Sequence, residues 1–204
     1  MEDVQWVEKA KKGDSTAFEQ LVLIHQNQIY RLCFRMVGNE EDAADMAQEA
    51  FLKAWRSLDS FQGDAAFSTW LYRLASNCCL DFLRSQKRRP TVSMTTEDDD
   101  GEEQTFDVAD SSASPEEELI AKEDRKEIAC AMASLDVEQR QILTLRVVND
   151  LSYTEIAEIL SLKEGTVKSR LARARENLRK KLLHLRNKSS NSSSNRQIGG
   201  SHEL

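Results

Sequence analysis

The stretch NDLSYTEIAEILSLKEGTVKSRLARARENLRKKL, residues 149–182, holds two helix signals separated by a break at Ser161, Leu162 and Lys163. The first opens at Ser152. With Glu155 following three positions on, each side chain can satisfy an orphan backbone donor of the first turn. Ile156, Ala157, Ile159 and Leu160 supply that helix's apolar side. The second helix begins near Glu164, and its Val167, Leu171, Ala174 and Leu178 recur at the spacing of one helical stripe. Opposite the stripe lie Ser169, Ala172, Arg173 and Glu176, bordered by Lys168, Arg170, Arg175, Arg179 and Lys180. Between Lys163 and Lys188 there are ten Lys or Arg and two Glu, a local net charge of +8. A short capped helix, a tight turn and a basic second helix make a helix-turn-helix. The second helix suits the major groove: its cations hold phosphates while outward polar side chains reach base edges. The bland alternative is a helical hairpin with a solvated basic side.

Working outward, the 204 residues suit one large or two small domains. Only 7 Gly and 2 Pro leave little room for sheet-and-turn architecture. The expected fold is all-α: two small helical domains joined by a flexible acidic linker, the C-terminal one a helix-turn-helix. The expected boundaries are 1–90, a linker over 91–118, 119–188, and a disordered tail over 189–204. No apolar run reaches the roughly 18 residues that span a bilayer. The start, MEDVQWVEKAKKGD, lacks the order of a secretory signal. A cytoplasmic location without membrane insertion is expected. Cys33, Cys78, Cys79 and Cys130 form no CxxC pair, and His25, His184 and His202 are scattered. Small buried hydrophobes are the expected role of the adjacent Cys78 and Cys79, and neither a metal site nor a cofactor is expected.

The net charge of −7 is misleading for a DNA-binding chain. Residues 1–89 carry 12 basic and 13 acidic side chains, net −1. Residues 90–118 carry 11 acidic and no basic ones, net −11. Residues 119–204 carry 16 basic and 11 acidic ones, net +5. The acidity lies in the middle, where periodicity is lacking and a loose tether is expected. Such a tether could compete with DNA for the basic surfaces.

In chain order, residues 2–12 read as a helix with Val4 and Val7 on one side, broken at Gly13 and Asp14. Ser15 to Val37 reads as a second helix, ended by Gly38, with Asn39 placed to cap a third. That third helix is DAADMAQEAFLKAWRSL, residues 42–58, with an apolar stripe of Ala43, Met46, Ala47, Ala50, Phe51 and Ala54. Asp45, Glu49, Lys53 and Arg56 lie away from the stripe. They fit surface ion pairs, and equally a docking face for a charged partner. After the loop DSFQGDAA, residues 59–66, a fourth helix runs FSTWLYRLASNCCLDFLRSQKRR. Phe61, Trp70 and Tyr72 beside Arg73 could stack single-stranded bases or could fill a small core. Arg84, Lys87, Arg88 and Arg89 form a cluster suited to phosphates, and Pro90 ends the element.

The second domain starts near Glu117, with Leu119, Ile120, Ile128, Ala129 and Met132 marking a helix. Asp136 and Gln139 form a further candidate capping box ahead of a helix over Arg140 to Val148. Ile142, Leu143, Leu145 and Val148 could pack it on the helix-turn-helix. No catalytic constellation, Walker loop or dinucleotide glycine loop is present, so no enzyme activity is expected.

Three stretches together resemble a bacterial sigma factor of the extracytoplasmic-function group of the sigma-70 family. They are DAADMAQEAFLKAWRSLDSF, FSTWLYRLASNCCLDFLRSQKRR and LDVEQRQILTLRVVNDLSYTEIAEILSLKEGTVKSRLARARENLRKKL, at residues 42–61, 67–89 and 135–182. The resemblance covers about residues 10 to 185 and corresponds to the second and fourth regions of larger sigma factors. It implies a protein that binds core RNA polymerase and directs initiation at chosen promoters, in a regulated envelope or other stress response. Asp45, Gln48, Glu49, Phe51, Lys53 and Trp55 match the part that docks on polymerase. Phe61, Trp70, Tyr72, Arg73, Arg84, Lys87 and Arg88 match the part that melts and reads the promoter element nearest the start site. Thr166, Lys168, Ser169, Arg170 and Arg173 match the reader of the upstream element. An anti-sigma factor, often membrane-bound in the family, is implied as a further partner. The linker is longer and more acidic than a minimal tether requires.

Two other readings compete. A conventional helix-turn-helix regulator predicts stable DNA binding without polymerase, usually as a symmetric dimer. An adaptor whose basic helix binds an acidic protein predicts no promoter preference. Neither calls for a polymerase-docking helix or an aromatic strand-opening segment in the first half.

Overall fold

A computed structural model describes residues 2–88 and 115–196. All regular elements among them are helical. In order they are α1 (Glu2–Lys11), α2 (Ser15–Val37), α3 (Glu40–Arg56), a 3-10 turn (Leu58–Ser60), α4 (Phe67–Arg88), α5 (Pro115–Ala133), α6 (Val137–Leu143), a π turn (Thr144–Val148), α7 (Tyr153–Leu160) and α8 (Glu164–Arg196). They make two helical bundles, α1–α4 and α5–α8, as the sequence predicts. The acidic stretch between them lies outside the described residues up to position 114. None of the described helices is long and apolar enough to cross a membrane.

Local chemistry sets the first bundle. Asp14 caps α2, its carboxylate accepting from the Thr16 and Ala17 amides at 3.0 and 3.2 Å. Those bonds, with the Thr16 hydroxyl foremost, hold the Asp14 carboxyl below its ordinary range. At the other end Gly38 adopts φ +91°, a left-handed conformation, and its N–H donates to Phe34 O at 2.9 Å. Asn39 then caps α3 by accepting from the Asp42 amide at 2.8 Å. Ala43, Ala47, Ala50 and Ala54 give α3 a small-residue face that is wholly or almost wholly buried. That face lets α2 and α4 approach closely. Leu21, Ile29, Leu32, Met36 and Leu71 fill the space between them. Val7 of α1 is buried and Val4 is not, so only one of the two expected valines enters the core.

In the second bundle Val167, Leu171 and Ala174 are buried and Leu178 half-buried, as the stripe predicts. Two expectations are corrected. Asp136 is the residue before α6, but its side chain makes no cap bond. Gln139 instead accepts from Asn177 Nδ2 of α8 at 3.1 Å, so a tertiary partner has taken the side chain that a capping box would use. Helix α5 forms where Ile128, Ala129 and Met132 marked one, with Ala131 buried and Ile128 and Ala129 exposed. Lastly, α8 continues beyond Ser189 to Arg196. Ser and Asn nucleate helices poorly, but adding a residue to an existing helix carries no nucleation cost.

The two bundles also touch, and their buried side chains join in one connected cluster. Arg140 of α6 donates from Nη1 to Met36 O at the end of α2, at 2.6 Å. A tether between independent domains does not anticipate this contact.

Candidate nucleic-acid interface

Three surfaces carry the candidate residues. The first is α3. Because its alanine face is buried, the opposite face is presented outward: Asp45 and Gln48 are exposed, Glu49 and Lys53 partly so. Lys53 forms an ion pair with Glu49 at 3.6 Å, four residues back on the same helix. The Lys53 ammonium also donates to Cys78 Sγ at 3.4 Å. Trp55 keeps 38% of its surface exposed while its ring meets Phe18 at 4.9 Å. Phe51 is half-buried against the core. The outcome is a face with acids at one end and an aromatic, partly open patch at the other.

The second surface is the loop after the 3-10 turn together with α4. Phe61, Phe67 and Trp70 pack as a cluster with centroids 5.3 to 5.7 Å apart. Lys11 Nζ from α1 donates to Phe61 O, tying the loop down. Phe61, Trp70 and Tyr72 are 9%, 7% and 4% exposed. Of the two roles the residues left open, core filling is the one these rings occupy in this arrangement. Phe61 and Trp70 still border a cavity of about 270 Å³, lined also by Gly63, Asp64, Arg73 and, from the other bundle, Glu158. Arg73, Arg84, Lys87 and Arg88 are exposed along the outer side of α4. Tyr72 Oη donates to Gln28 Oε1 at 3.0 Å, and burial pushes its phenol up from the ordinary range against a hydrogen bond with Asn149.

The third surface is the helix-turn-helix. Both halves of the capping box form: the Glu155 amide donates to Ser152 Oγ at 3.2 Å, and the Ser152 amide donates to Glu155 Oε2 at 2.8 Å. Ser161 turns the chain with φ +52°, and the Leu162 amide reaches Ala157 O at 2.8 Å. Thr154 Oγ1 donates to Glu164 Oε1 at 2.8 Å, clasping the start of α7 to the start of α8. On α8, Lys168, Ser169, Arg170 and Arg173 are exposed and Thr166 is half-buried. Lys168 lies 5.7 Å from the centroid of the Tyr153 ring. Arg179 and Lys180 are held by Glu176 at 3.3 and 3.7 Å. A cationic face therefore stands on an apolar stripe that fixes its orientation.

The structure brings the second and third surfaces together. A second gap, of about 250 Å³, is lined by Arg73, Asn77 and Arg84 from α4 and by Glu138, Ile159 and Arg170 from the other bundle. Gln28, Asn77, Glu138, Asn149 and Glu158 border these sites, and the sequence alone singles out none of them. Nothing in their local pattern differs from ordinary surface polar residues.

Comparison with known proteins agrees with this geometry. Residues 21–89 match the family described as Sigma-70 region 2, and residues 125–178 that described as Sigma-70, region 4, together more than half of the chain. The chain is 37% identical over 179 residues to the ECF RNA polymerase sigma factor SigW of Bacillus subtilis, covering 88% of this chain and 96% of that protein. It is 40% identical over 188 residues to the RNA polymerase sigma-H factor of Pseudomonas aeruginosa, covering 90% and 95%. It is likewise 40% identical over 179 residues to the ECF RNA polymerase sigma-E factor of Escherichia coli, covering 88% and 93%. Among solved structures, CnrH in complex with the cytosolic domain of CnrY superposes with a TM-score of 0.64 at 25% identity, covering 87% of this chain and 95% of that one. The sigma factor RpoE of Bartonella quintana, in complex with the anti-sigma factor NepR, shares the fold with a TM-score of 0.59 at 22% identity, covering 81% and 96%.

Proposed function

The chain belongs to the sigma-70 family, in its extracytoplasmic-function group, and directs transcription initiation with RNA polymerase; on that premise we propose how its three surfaces divide the task. Residues 1–90 act as the region that docks on polymerase and opens the downstream promoter element. Residues 119–188 act as the region that reads the upstream element, and the stretch between tethers the two. Asp45, Gln48, Glu49, Phe51, Lys53 and Trp55 form the polymerase contact. The observation that carries this is the outward face of α3, whose acids and half-open Trp55 stand opposite a buried alanine stripe.

Strand opening falls to the loop and α4. Taking a base out of a duplex costs about a few kcal/mol of unstacking, which a pocket must offset by stacking and hydrogen bonds. The cavity over Phe61 and Trp70 supplies apolar rings, with Arg73 at its rim. Arg84, Lys87 and Arg88 neutralise phosphates along the same helix. On α8, Thr166, Lys168, Ser169, Arg170 and Arg173 meet the upstream element in its major groove. Tethering two weak DNA contacts on one polymerase raises their joint affinity through effective concentration. Polymerase makes the phosphodiester bonds, and this chain supplies position.

Relatives of this fold are seen in complexes, CnrH with the cytosolic domain of CnrY and the sigma factor RpoE with the anti-sigma factor NepR. We extend that to this chain: an anti-sigma factor covers the polymerase and DNA surfaces and keeps it inactive until a stress signal releases it.

Two variants separate the roles. Asp45→Lys with Glu49→Lys should lose binding to core polymerase in a pull-down. Arg73→Ala should bind polymerase normally yet fail to open promoter DNA in permanganate footprinting. Normal opening by Arg73→Ala, or normal polymerase binding by the double variant, would overturn the corresponding assignment.

A further inference from the structure

The loop that borders the cavity over Phe61 and Trp70 is held at both of its ends, and α1 reaches each. At the start, the Lys11 ammonium donates to the Phe61 carbonyl and lies 5.7 Å from the centroid of the Phe61 ring. Phe61 follows the 3-10 turn, where carbonyls lack partners within the helix, and Lys11 supplies the donor. At the far end, Asp3 Oδ2 lies 3.1 Å from His25 Nε2 of α2. The His25 ring in turn meets Phe67, the first residue of α4, at 5.6 Å. Asp3, Val7, Ala10 and Lys11 stand at i, i+4, i+7 and i+8, one face of a helix. Val7 and Ala10 are buried, so this face is turned to the core and carries a polar group at each end. Gly13, at φ +91°, turns the chain just after Lys11, and α2 then packs on α1 and returns His25 to Asp3.

We infer that α1 is a splint for the base-capturing loop, with Lys11 the positioning residue at one end and the Asp3–His25 pair at the other. The inference rests on the assignment of the cavity bordered by Phe61, Trp70 and Arg73 to strand opening. A pocket that receives an unstacked base works best with its wall already in place, because ordering the loop during capture subtracts from the binding it provides. Lys11 is not among the residues that line the cavity, so it acts through Phe61. Asp3 and Lys11 also precede residues 21–89, the stretch matched by the region 2 family. The splint is therefore a contribution of the segment ahead of that region.

The test reads the loop and its task separately, in the full chain. Phe61–Gln62 is the only Phe-Gln step in the sequence. Labelling phenylalanine at its carbonyl with ¹³C and glutamine at its amide with ¹⁵N therefore gives one resonance, which reports the Phe61 carbonyl. Lys11→Met keeps the stem and removes the donor, so this resonance should shift; Lys11→Arg should hold it near its original place. In the polymerase holoenzyme, Lys11→Met should leave affinity for core polymerase unchanged. It should slow promoter opening, followed as permanganate reactivity over time, by about tenfold, the loss expected for one hydrogen bond from a charged donor. Lys11→Arg should restore most of the rate. Asp3→Ala should slow opening by only about threefold, because its pair is partly open to water. An unmoved Phe61 carbonyl in Lys11→Met overturns the splint. A moved carbonyl with opening at the original rate overturns the positioning role, and so does a loss of polymerase affinity that matches the loss of opening. Opening as slow in Lys11→Arg as in Lys11→Met, with the Arg variant's carbonyl in place, overturns it as well. Normal opening by Arg73→Ala would sink the cavity assignment instead, and the carbonyl shift would then stand on its own.

Discussion

Arg140 offers the sharpest energetic test of how the second bundle is built. It is 8% exposed, and its fork makes three bonds: Nε to Met132 O at 3.0 Å, Nη2 to Ala133 O, and Nη1 to Met36 O at 2.6 Å. The first two acceptors close the end of α5 and the third closes the end of α2. One guanidinium thus meets the negative ends of two helix dipoles. Arg140→Met keeps most of the aliphatic stem and removes the fork. Hydrogen bonds to a charged group are worth about 1.5–3 kcal/mol each, so three set a ceiling of roughly 5–9 kcal/mol. Against that stands the cost of burying the cation, which also pulls its pKa below the ordinary arginine value. The freed carbonyls regain some water as well. A net loss of about 3 kcal/mol is expected. With a urea m-value of about 2 kcal/mol/M, that lowers the denaturation midpoint by about 1.5 M, read by far-UV circular dichroism. Arg140→Lys should recover less than half, because one ammonium cannot span three acceptors set by a planar fork. A midpoint shift below about 0.3 M for Arg140→Met would refute the reasoning, since desolvation would then cancel the bonds.

Ser152→Ala removes the hydroxyl that accepts from the Glu155 amide, leaving only the backbone half of the α7 capping box, and should cost about 1 kcal/mol in the same urea titration, with Ser152→Gly costing less. Among the described residues Lys168, Arg170 and Arg173 appear in no ion pair, so each is available to a phosphate. Arg173→Ala in the polymerase holoenzyme should flatten the log–log salt dependence of promoter-duplex binding by about 0.9; an unchanged slope would place that residue off the backbone. A hydrogen bond with Cys79 and burial push the Cys33 thiol up, and burial pushes Cys78 up despite the neighbouring Lys53. At mildly alkaline pH these thiols stay protonated, so iodoacetamide should label the native chain at Cys130 alone and at all four cysteines after unfolding, counted by mass spectrometry.

Local patterns were legible where local partners decide them. Ser152 and Glu155 are three residues apart with no competitor, and both bonds form. The same pattern at Asp136 and Gln139 fails because Asn177, far along the chain, claims the glutamine. The α8 stripe was readable from period alone, since Val167, Leu171 and Ala174 face one packed surface. Period alone could not rank the roles open to Trp70 and Tyr72. Their burial depends on α1, α2 and the facing bundle: Lys11 holds the loop, Phe67 packs against Trp70, and Gln28 and Asn149 hold Tyr72. The contact between bundles was invisible for a related reason. Met36 O is a backbone group, and nothing in its side chain advertises that Arg140 will reach it. Charge and aromatic content already marked the candidate DNA residues and an open charged face on α3, and resemblance then assigned each its role. What the structure adds is their neighbours, above all Glu138 paired with Arg84 and Glu158 lining the same cavity as Arg73.

Run-off transcription tests the central claim most directly. Purified core polymerase is offered a library of promoter fragments with and without this chain. The account predicts initiation at a defined subset only when the chain is present, and loss of that initiation with Asp45→Lys/Glu49→Lys or with Arg73→Ala. Absence of chain-dependent initiation, together with tight binding to a duplex site in the absence of polymerase, would contradict it.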